Sequence, residues 1–147
     1  MTWVDVDGLG DLETFQYFGK LFGLHRLALE DVLSLHQRSK VESYDNHLFL
    51  VVRMIECHPI VQTEQLSVFV GERFVLTFQE EQPGNCLDPV RRRIREGLGG
   101  IRSLGTEYLA YALLDAVVDA YFPYIDDVSD RIEALETEVV EHPTTDT

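Results

Sequence analysis

Residues 24–42, LHRLALEDVLSLHQRSKVE, join an apolar-faced segment to two adjacent carboxylates and then lead towards the longest apolar run of the chain. The apolar residues of this stretch have no helix breaker between them and form one face, which predicts a short helix packed on a core. Those residues are Leu27, Leu29, Val32 and Leu33.

Glu30 and Asp31 are the two carboxylates of this stretch that need an explanation. Neighbouring residues on a helix point about 100° apart, so one helix does not easily offer both carboxylates to a single ion. If the pair binds a cation, further ligands must come from elsewhere in the chain or from a second subunit. The competing interpretation is an acidic pair that only faces solvent.

The composition limits the classes of partner. A chain of 147 residues with 45% hydrophobic residues fits one folded domain. Its 12 basic and 26 acidic residues give a formal charge of −14, which repels nucleic acid and anionic lipid and attracts cations. No apolar run approaches the length of a membrane span, so we expect this stretch of chain to be soluble, without membrane contact.

Three stretches of the first half predict secondary structure on either side of residues 24–42. Trp3 to Val6 alternate apolar and acidic residues, which predicts a strand, and Asp11 is a good N-cap for a helix that ends at Gly23. The chain is polar at residues 37–40, where we assign no strand. The apolar run 48–55 predicts a strand in the centre of a sheet.

Two further strands, residues 65–70 and 73–79, flank Gly71-Glu72, a link that favours a type II′ hairpin. Asp88-Pro89 predicts the capped start of a helix that runs to Gly97. Its arginines are expected to form a solvated face paired with local acids. They are Arg91, Arg92, Arg93 and Arg95.

From Thr106 to His142-Pro143 the apolar residues recur every three or four positions, which predicts helix throughout. Pro123 should kink or divide it. The second half is strongly acidic with a narrow apolar stripe, a pattern typical of a helix that leaves the domain and packs on other helices.

Asp115 lies within the apolar part of this helix, one turn before Asp119. Like charges at that spacing repel unless a cation or a basic partner offsets them. A metal ligand and a structural ion pair with an arginine of the Asp88 helix are both open interpretations.

Motifs of common enzymes are missing from the sequence: there is no P-loop, no GxSxG and no nucleophile beside a base, so we do not expect an enzyme. The histidines and cysteines show no zinc spacing. Acidic positions with oxygen donors alone suit hard cations such as Mg²⁺.

The sequence resembles the cytoplasmic domain of the CorA family of magnesium and cobalt transporters. The resemblance rests on six blocks in family order: TWVDVDG (2–8), FGLHRLALEDVLSLHQRSKVE (22–42), TEQLSVFVG (63–71), LTFQE (76–80), DPVRRRIR (88–95) and YLAYALLDAVVDAYFP (108–123). Ser39 departs from the proline usual in the family, which should not alter the ligands.

This resemblance implies an α/β fold, an α/β/α sandwich with a mixed central sheet, followed by the start of long stalk helices. Residues 1–122 would form the cytoplasmic domain and residues 123–147 the beginning of the acidic stalk. The two pore helices and the Gly-Met-Asn signature would lie beyond Thr147. The whole protein would be a homopentamer in the cell (inner) membrane.

For function, the resemblance implies a Mg²⁺-sensing and gating domain of a Mg²⁺ and Co²⁺ channel. Regulatory Mg²⁺ would bind between subunits at Glu30, Asp31 and Asp115. Two alternatives stay open: a zinc-transporting relative of the same fold, and an acidic protein-interaction domain with no metal role.

Overall fold

The computed structural model describes residues 1–10, 12–56, 61–80 and 86–141. In chain order the elements are β1 (Thr2–Asp7), α1 (Leu12–Phe22), α2 (Arg26–Leu33), β2 (Lys40–Ser43), β3 (His47–Glu56), β4 (Gln62–Gly71), β5 (Phe74–Gln79), α3 (Asp88–Glu96), a 3₁₀ turn (Leu98–Gly100), α4 (Gly105–Asp119) and α5 (Phe122–Glu141). The predicted cap at Asp11 and the predicted helix end at His142-Pro143 lie outside the described residues.

The five strands form one sheet in the order β1-β5-β4-β3-β2. β1 pairs with β5 in parallel, and every other pairing is antiparallel, so the predicted mixed sheet is confirmed. β3 is an interior strand, although the middle position belongs to β4. Residues 65–71 of β4 are all buried, as expected for a strand covered on both faces.

β2 is a strand that the sequence analysis missed. Its four residues pair with the first half of β3, from Lys40 opposite Val51 to Ser43 opposite Leu48. Val41 is its single apolar residue, and that side chain is 65% exposed. The strand therefore exists because β3 offers an edge to pair with, since its own composition gives little strand signal.

The β4–β5 hairpin is confirmed, but its predicted type II′ turn is wrong. The last paired residues are Val70 and Val75, and the φ angle of Gly71 is not positive, as a type II′ turn would require. A Cβ atom at position 71 would clash with the ring of Phe74. A larger residue at position 71 would therefore require the Phe74 ring to move.

Helices cover both faces of the sheet, which confirms the α/β/α sandwich. Alternate residues of β4 point into opposite cores: Leu66 and Val68 into one, Phe69 into the other. The first core is mainly aliphatic and includes α3 and α4, with Leu109 and Leu113 fully buried. The second core is rich in aromatic residues and includes α1 and α2. Its buried members are Phe15, Leu24, Ala28, Val32, Phe49, Val51, Phe69, Leu76 and Phe78.

The long C-terminal helix is divided near Pro123, as predicted. α4 ends at Asp119, and α5 begins at Phe122 with the proline in its first turn, where a missing N–H group costs little. The hydroxyl of Tyr121 donates to the backbone oxygen of Arg53 at 2.8 Å, which fixes the junction to β3. Beyond that point, α5 buries none of its residues.

Candidate metal centre

α2 places its two carboxylates on the side away from the core. The Nδ1 atom of His25 accepts a hydrogen bond from the N–H of Leu27 at 3.3 Å and caps the helix. Ala28 and Val32 are fully buried against the sheet. Glu30 is consequently exposed, and Asp31 is only partly covered.

Glu30 has one partner among the residues that the structure describes. Arg26, one turn earlier, donates to Oε1 of Glu30 at 3.0 Å, and both side chains are largely exposed. A solvated pair of this kind contributes little to stability, because water screens it and ordering two long side chains costs entropy. Glu30 therefore stays available to an incoming cation.

Asp31 is held by a polar cluster, the Lys40 network, which consists of Asp31, Gln37, Lys40, Glu42 and Tyr44. Lys40 donates to Oδ2 of Asp31 at 2.6 Å and to Oε1 of Glu42 at 2.8 Å. Gln37 donates to Oδ1 of Asp31 at 3.0 Å, and Tyr44 donates to Oε2 of Glu42 at 3.0 Å. Because β2 was not predicted, the contact of Lys40 with α2 could not be predicted either.

The electrostatics of the Lys40 network favour its charged forms. The hydrogen bonds that Lys40 donates, first to Asp31 and then to Glu42, raise the pKa of Lys40 above its ordinary value of 10.5. The hydrogen bonds from Lys40 and then Tyr44 lower the pKa of Glu42. Lys40 and Glu42 are therefore both charged at neutral pH.

Asp115 lies in the middle of α4, in the other helical layer, and is exposed. Its partner is the hydroxyl of Tyr111, which donates to Oδ1 at 3.4 Å. Within the described part of the chain Asp115 forms no ion pair, so the contact with an arginine of α3, one of the two open interpretations, is not observed there. Asp115 and Asp119 both line a cleft of about 290 Å³ between α3 and α4.

The arginines of α3 do not form a uniformly solvated face, which corrects the expectation from sequence. The side chain of Arg91 is 13% exposed, and it donates to Oδ2 of Asp5 on β1 at 2.6 and 2.9 Å. It also donates to Asp88 at 2.8 Å.

Asp88 is the first helical residue and does not cap the helix, because Leu87 occupies the N-cap position. Arg93 donates to the hydroxyl of Tyr108.

Within a single copy of the chain, the three predicted ligands do not lie close to one another. Glu30 and Asp31 lie on α2, and Asp115 lies on α4, so the central sheet separates them. Among the residues that the structure describes, no three His, Cys, Asp or Glu side chains are close enough to hold a metal ion. The donors are carboxylate oxygens alone, which fits Mg²⁺ chemically, but each face supplies only part of a coordination shell.

This sandwich with a helix continuing from it is a fold that two solved domains share. The chain is similar to the cytoplasmic domain of ZntB from Vibrio parahaemolyticus, with a TM-score of 0.77 and 12% identity over 95% of this chain and 56% of that one. The soluble domain of CorA from Methanocaldococcus jannaschii gives a TM-score of 0.72 and 17% identity over 94% and 55%. At these identities the likeness establishes the fold.

The sequence comparisons give the family. Residues 1–147 match the family described as CorA-like Mg²⁺ transporter protein. The chain is 41% identical over 150 aligned positions to the cobalt/magnesium transport protein CorA of Thermotoga maritima, covering 99% of this chain. The chain belongs to the CorA-like Mg²⁺ transporter family. It spans 42% of the length of the Thermotoga protein, and no helix in its described part is long and apolar enough to cross a membrane.

Proposed function

We propose that this chain is the cytoplasmic Mg²⁺-sensing and gating domain of a CorA-type channel for Mg²⁺ and Co²⁺ in the cell (inner) membrane. The whole protein is a homopentamer, and residues 123–147 begin its stalk. Regulatory Mg²⁺ binds between subunits, with Glu30 and Asp31 of one copy facing Asp115 of the next.

The observation that carries this proposal is the placement of the carboxylates in opposite helical layers. Each layer has exposed or half-exposed acidic side chains, and only a second copy can bring one layer against the other. The formal charge of −14 makes such an approach unfavourable unless cations offset it. Asp115 is suited to an incoming ion because no basic side chain in the described residues pairs with it.

Gating follows from the same electrostatics. While Mg²⁺ bridges two copies, the repulsion between their carboxylates is offset and the closed arrangement is favoured. When the concentration falls, the ions leave and the subunits separate, so the equilibrium shifts by the difference in affinity between the two states. Mg²⁺ keeps several waters and needs only one or two carboxylates from each site, which two incomplete faces can supply.

Transport of magnesium and cobalt is favoured over transport of zinc by the name of the Thermotoga relative. The likeness to the Vibrio ZntB domain concerns the fold, because the identity is 12%. An acidic interaction domain with no metal role is the alternative that mutation distinguishes.

The test uses the whole protein that carries this chain, with Asp31→Asn and Asp115→Asn combined. We expect the Mg²⁺ concentration that closes the channel to rise at least about tenfold, because two charged ligands are lost at each interface. Mg²⁺-dependent current and calorimetric Mg²⁺ binding measure the effect. Asp45→Asn combined with Glu72→Gln, in the exposed turns that follow β2 and β4, is the control with equal loss of charge. Unchanged gating in the double variant would refute the sensing role.

A further inference from the structure

The side chain of Lys40 is placed where a metal ion at Asp31 would have to compete with it. The ammonium nitrogen lies 2.6 Å from Oδ2 of Asp31, and Gln37 occupies Oδ1 of the same carboxylate at 3.0 Å. Both oxygens of this candidate ligand are therefore engaged within the chain. A dication that binds either oxygen must compete with a donor that is already present, and it meets the positive charge of Lys40.

The position of Lys40 is restrained, unlike that of a free surface lysine. Its backbone pairs with Val51 in the sheet, and its ammonium group lies 5.8 Å from the centre of the Phe49 ring. The side chains of Lys40 and Asp31 are 26% and 25% exposed. Partial shielding and a fixed strand position reduce the entropy cost of the contact and strengthen the attraction relative to a fully solvated pair.

Glu42 gives the ammonium group a second partner. It lies two residues further along β2, and its Oε1 is 2.8 Å from the same nitrogen. If a dication takes Asp31, Lys40 keeps its contact with Glu42 and is not left unpaired. The displacement therefore costs one ion pair and leaves the other in place.

The geometry points to Lys40 as a positioning residue that sets the Mg²⁺ threshold of the sensor. Its ammonium group acts as an internal cation that holds Asp31 until a dication takes the place of Lys40. This inference rests on the proposed function, because it requires Asp31 to be a metal ligand. Lys40 lowers the affinity of the site and also keeps Asp31 oriented and its charge offset while no metal is bound. The site then responds at a higher Mg²⁺ concentration than an uncompeted carboxylate would.

The chain supplies its own control, because Lys20 and Lys40 are its two lysines. Lys20 is exposed in the last turn of α1. Lys40→Met and Lys20→Met each remove one positive charge from a chain of formal charge −14, so any general effect of charge is equal in both variants. A difference between them reports the contact with Asp31.

The experiment measures the Mg²⁺ concentration for half-maximal protection of the whole protein from limited proteolysis, and Mg²⁺ binding by calorimetry. We expect Lys40→Met to lower that concentration about two- to fivefold, the range of a partly exposed ion pair. Lys20→Met should leave it unchanged, and Lys40→Arg, which keeps the charge, should not lower it. A structural role alone would lower the melting temperature without tightening Mg²⁺ binding.

Glu42→Gln covers the case in which Lys40→Met does not fold. With its second partner gone, the ammonium group stays with Asp31, so the half-maximal Mg²⁺ concentration should rise. Asp31→Asn distinguishes a failure of the role of Lys40 from a failure of the proposed Mg²⁺ sensor. If Asp31→Asn weakens Mg²⁺ binding while Lys40→Met or Glu42→Gln leaves it unchanged, the role of Lys40 is refuted and the sensor is kept. If Asp31→Asn leaves Mg²⁺ binding unchanged, both the role of Lys40 and the role of Asp31 in the sensor are refuted.

Discussion

α4 and α5 follow each other with two residues between them, yet they differ completely in burial. α4 buries six residues against the sheet and α3, whereas α5 buries none. Both helices have apolar residues at helical spacing, and those of α5 stay exposed. They include Ile125, Ile132, Leu135 and Val139, all at least 50% exposed.

The difference teaches that an amphipathic pattern specifies a face but not its partner. The face of α4 is covered by the chain's own sheet, so its contacts stabilise the domain. The face of α5 has no such cover in the described residues, and its contacts are available only to something outside them. Substitutions of apolar residues should therefore lower the stability of the chain strongly in α4 and only slightly in α5.

Truncation of a core leucine should have the largest effect. Leu113 of α4 is fully buried, so Leu113→Ala leaves a cavity and should lower the free energy of unfolding by about 2–5 kcal/mol. Leu135→Ala is the matched control on α5, where the side chain is 57% exposed, and should change it by less than about 0.5 kcal/mol. Urea unfolding of the chain measures both. Equal losses would mean that α5 packs within the chain.

Loss of an ion pair should also destabilise the chain more within the sandwich than on α5. Arg91→Met leaves Asp5 without its cation, and that carboxylate is only 18% exposed. We expect a loss of about 2 kcal/mol, less than for a fully buried pair, because Thr77 and Gln79 still donate to Asp5 at 2.6 and 2.7 Å.

The corresponding pair on α5 is Arg131 with Asp127, at 3.9 Å and with side chains 74% and 65% exposed. Arg131→Met should therefore cost less than about 0.5 kcal/mol in the same urea titration. A comparable loss in Arg131→Met and Arg91→Met would contradict the proposed difference between the helices.

Acid should weaken the domain through one histidine. His47 is 5% exposed and lies between Tyr44 and Phe69, and within the described residues its Nε2 atom has no hydrogen-bond partner. Burial, and then the charge of His25, lower the pKa of His47 below its ordinary value of 6.5. The unfolded chain binds this proton more readily, so stability is complete above pH 6.5 and falls as the pH drops towards the folded pKa.

His47→Phe should remove this part of the pH dependence, because it keeps an aromatic ring and loses the titrating group. Urea titrations above and below pH 6.5 measure the change. α5 contains no histidine. A pH dependence that persists in His47→Phe would assign the effect to another group.

The sequence predicted those parts of the fold that depend on local pattern. The strand at residues 48–55, the hairpin around Gly71 and the break at Pro123 follow from apolar runs, glycine and proline. β2 could not be predicted, because four largely polar residues become a strand only when β3 lies beside them. The parallel partnership of β1 with β5 likewise joins segments more than 70 residues apart.

For the candidate metal centre, the resemblance predicted Glu30, Asp31 and Asp115 as ligands, but it did not predict which residues surround them. The contact of Lys40 with Asp31 depends on β2, and the burial of Arg91 depends on β1 lying under α3. Both are long-range pairings that no local spacing encodes. A run of arginines on an acidic chain looks solvated until the strand beneath it is known.

The separation of α2 from α4 by the sheet also constrains how copies of this chain can associate through those helices. A contact between α2 of one molecule and α4 of another joins opposite faces of the sheet, so the second copy cannot return the same contact across a two-fold axis and the association is head-to-tail. Each added copy leaves one surface of each kind unused at the ends of the row. Such a row either closes into a ring or continues as a filament, and the tilt between successive copies decides which.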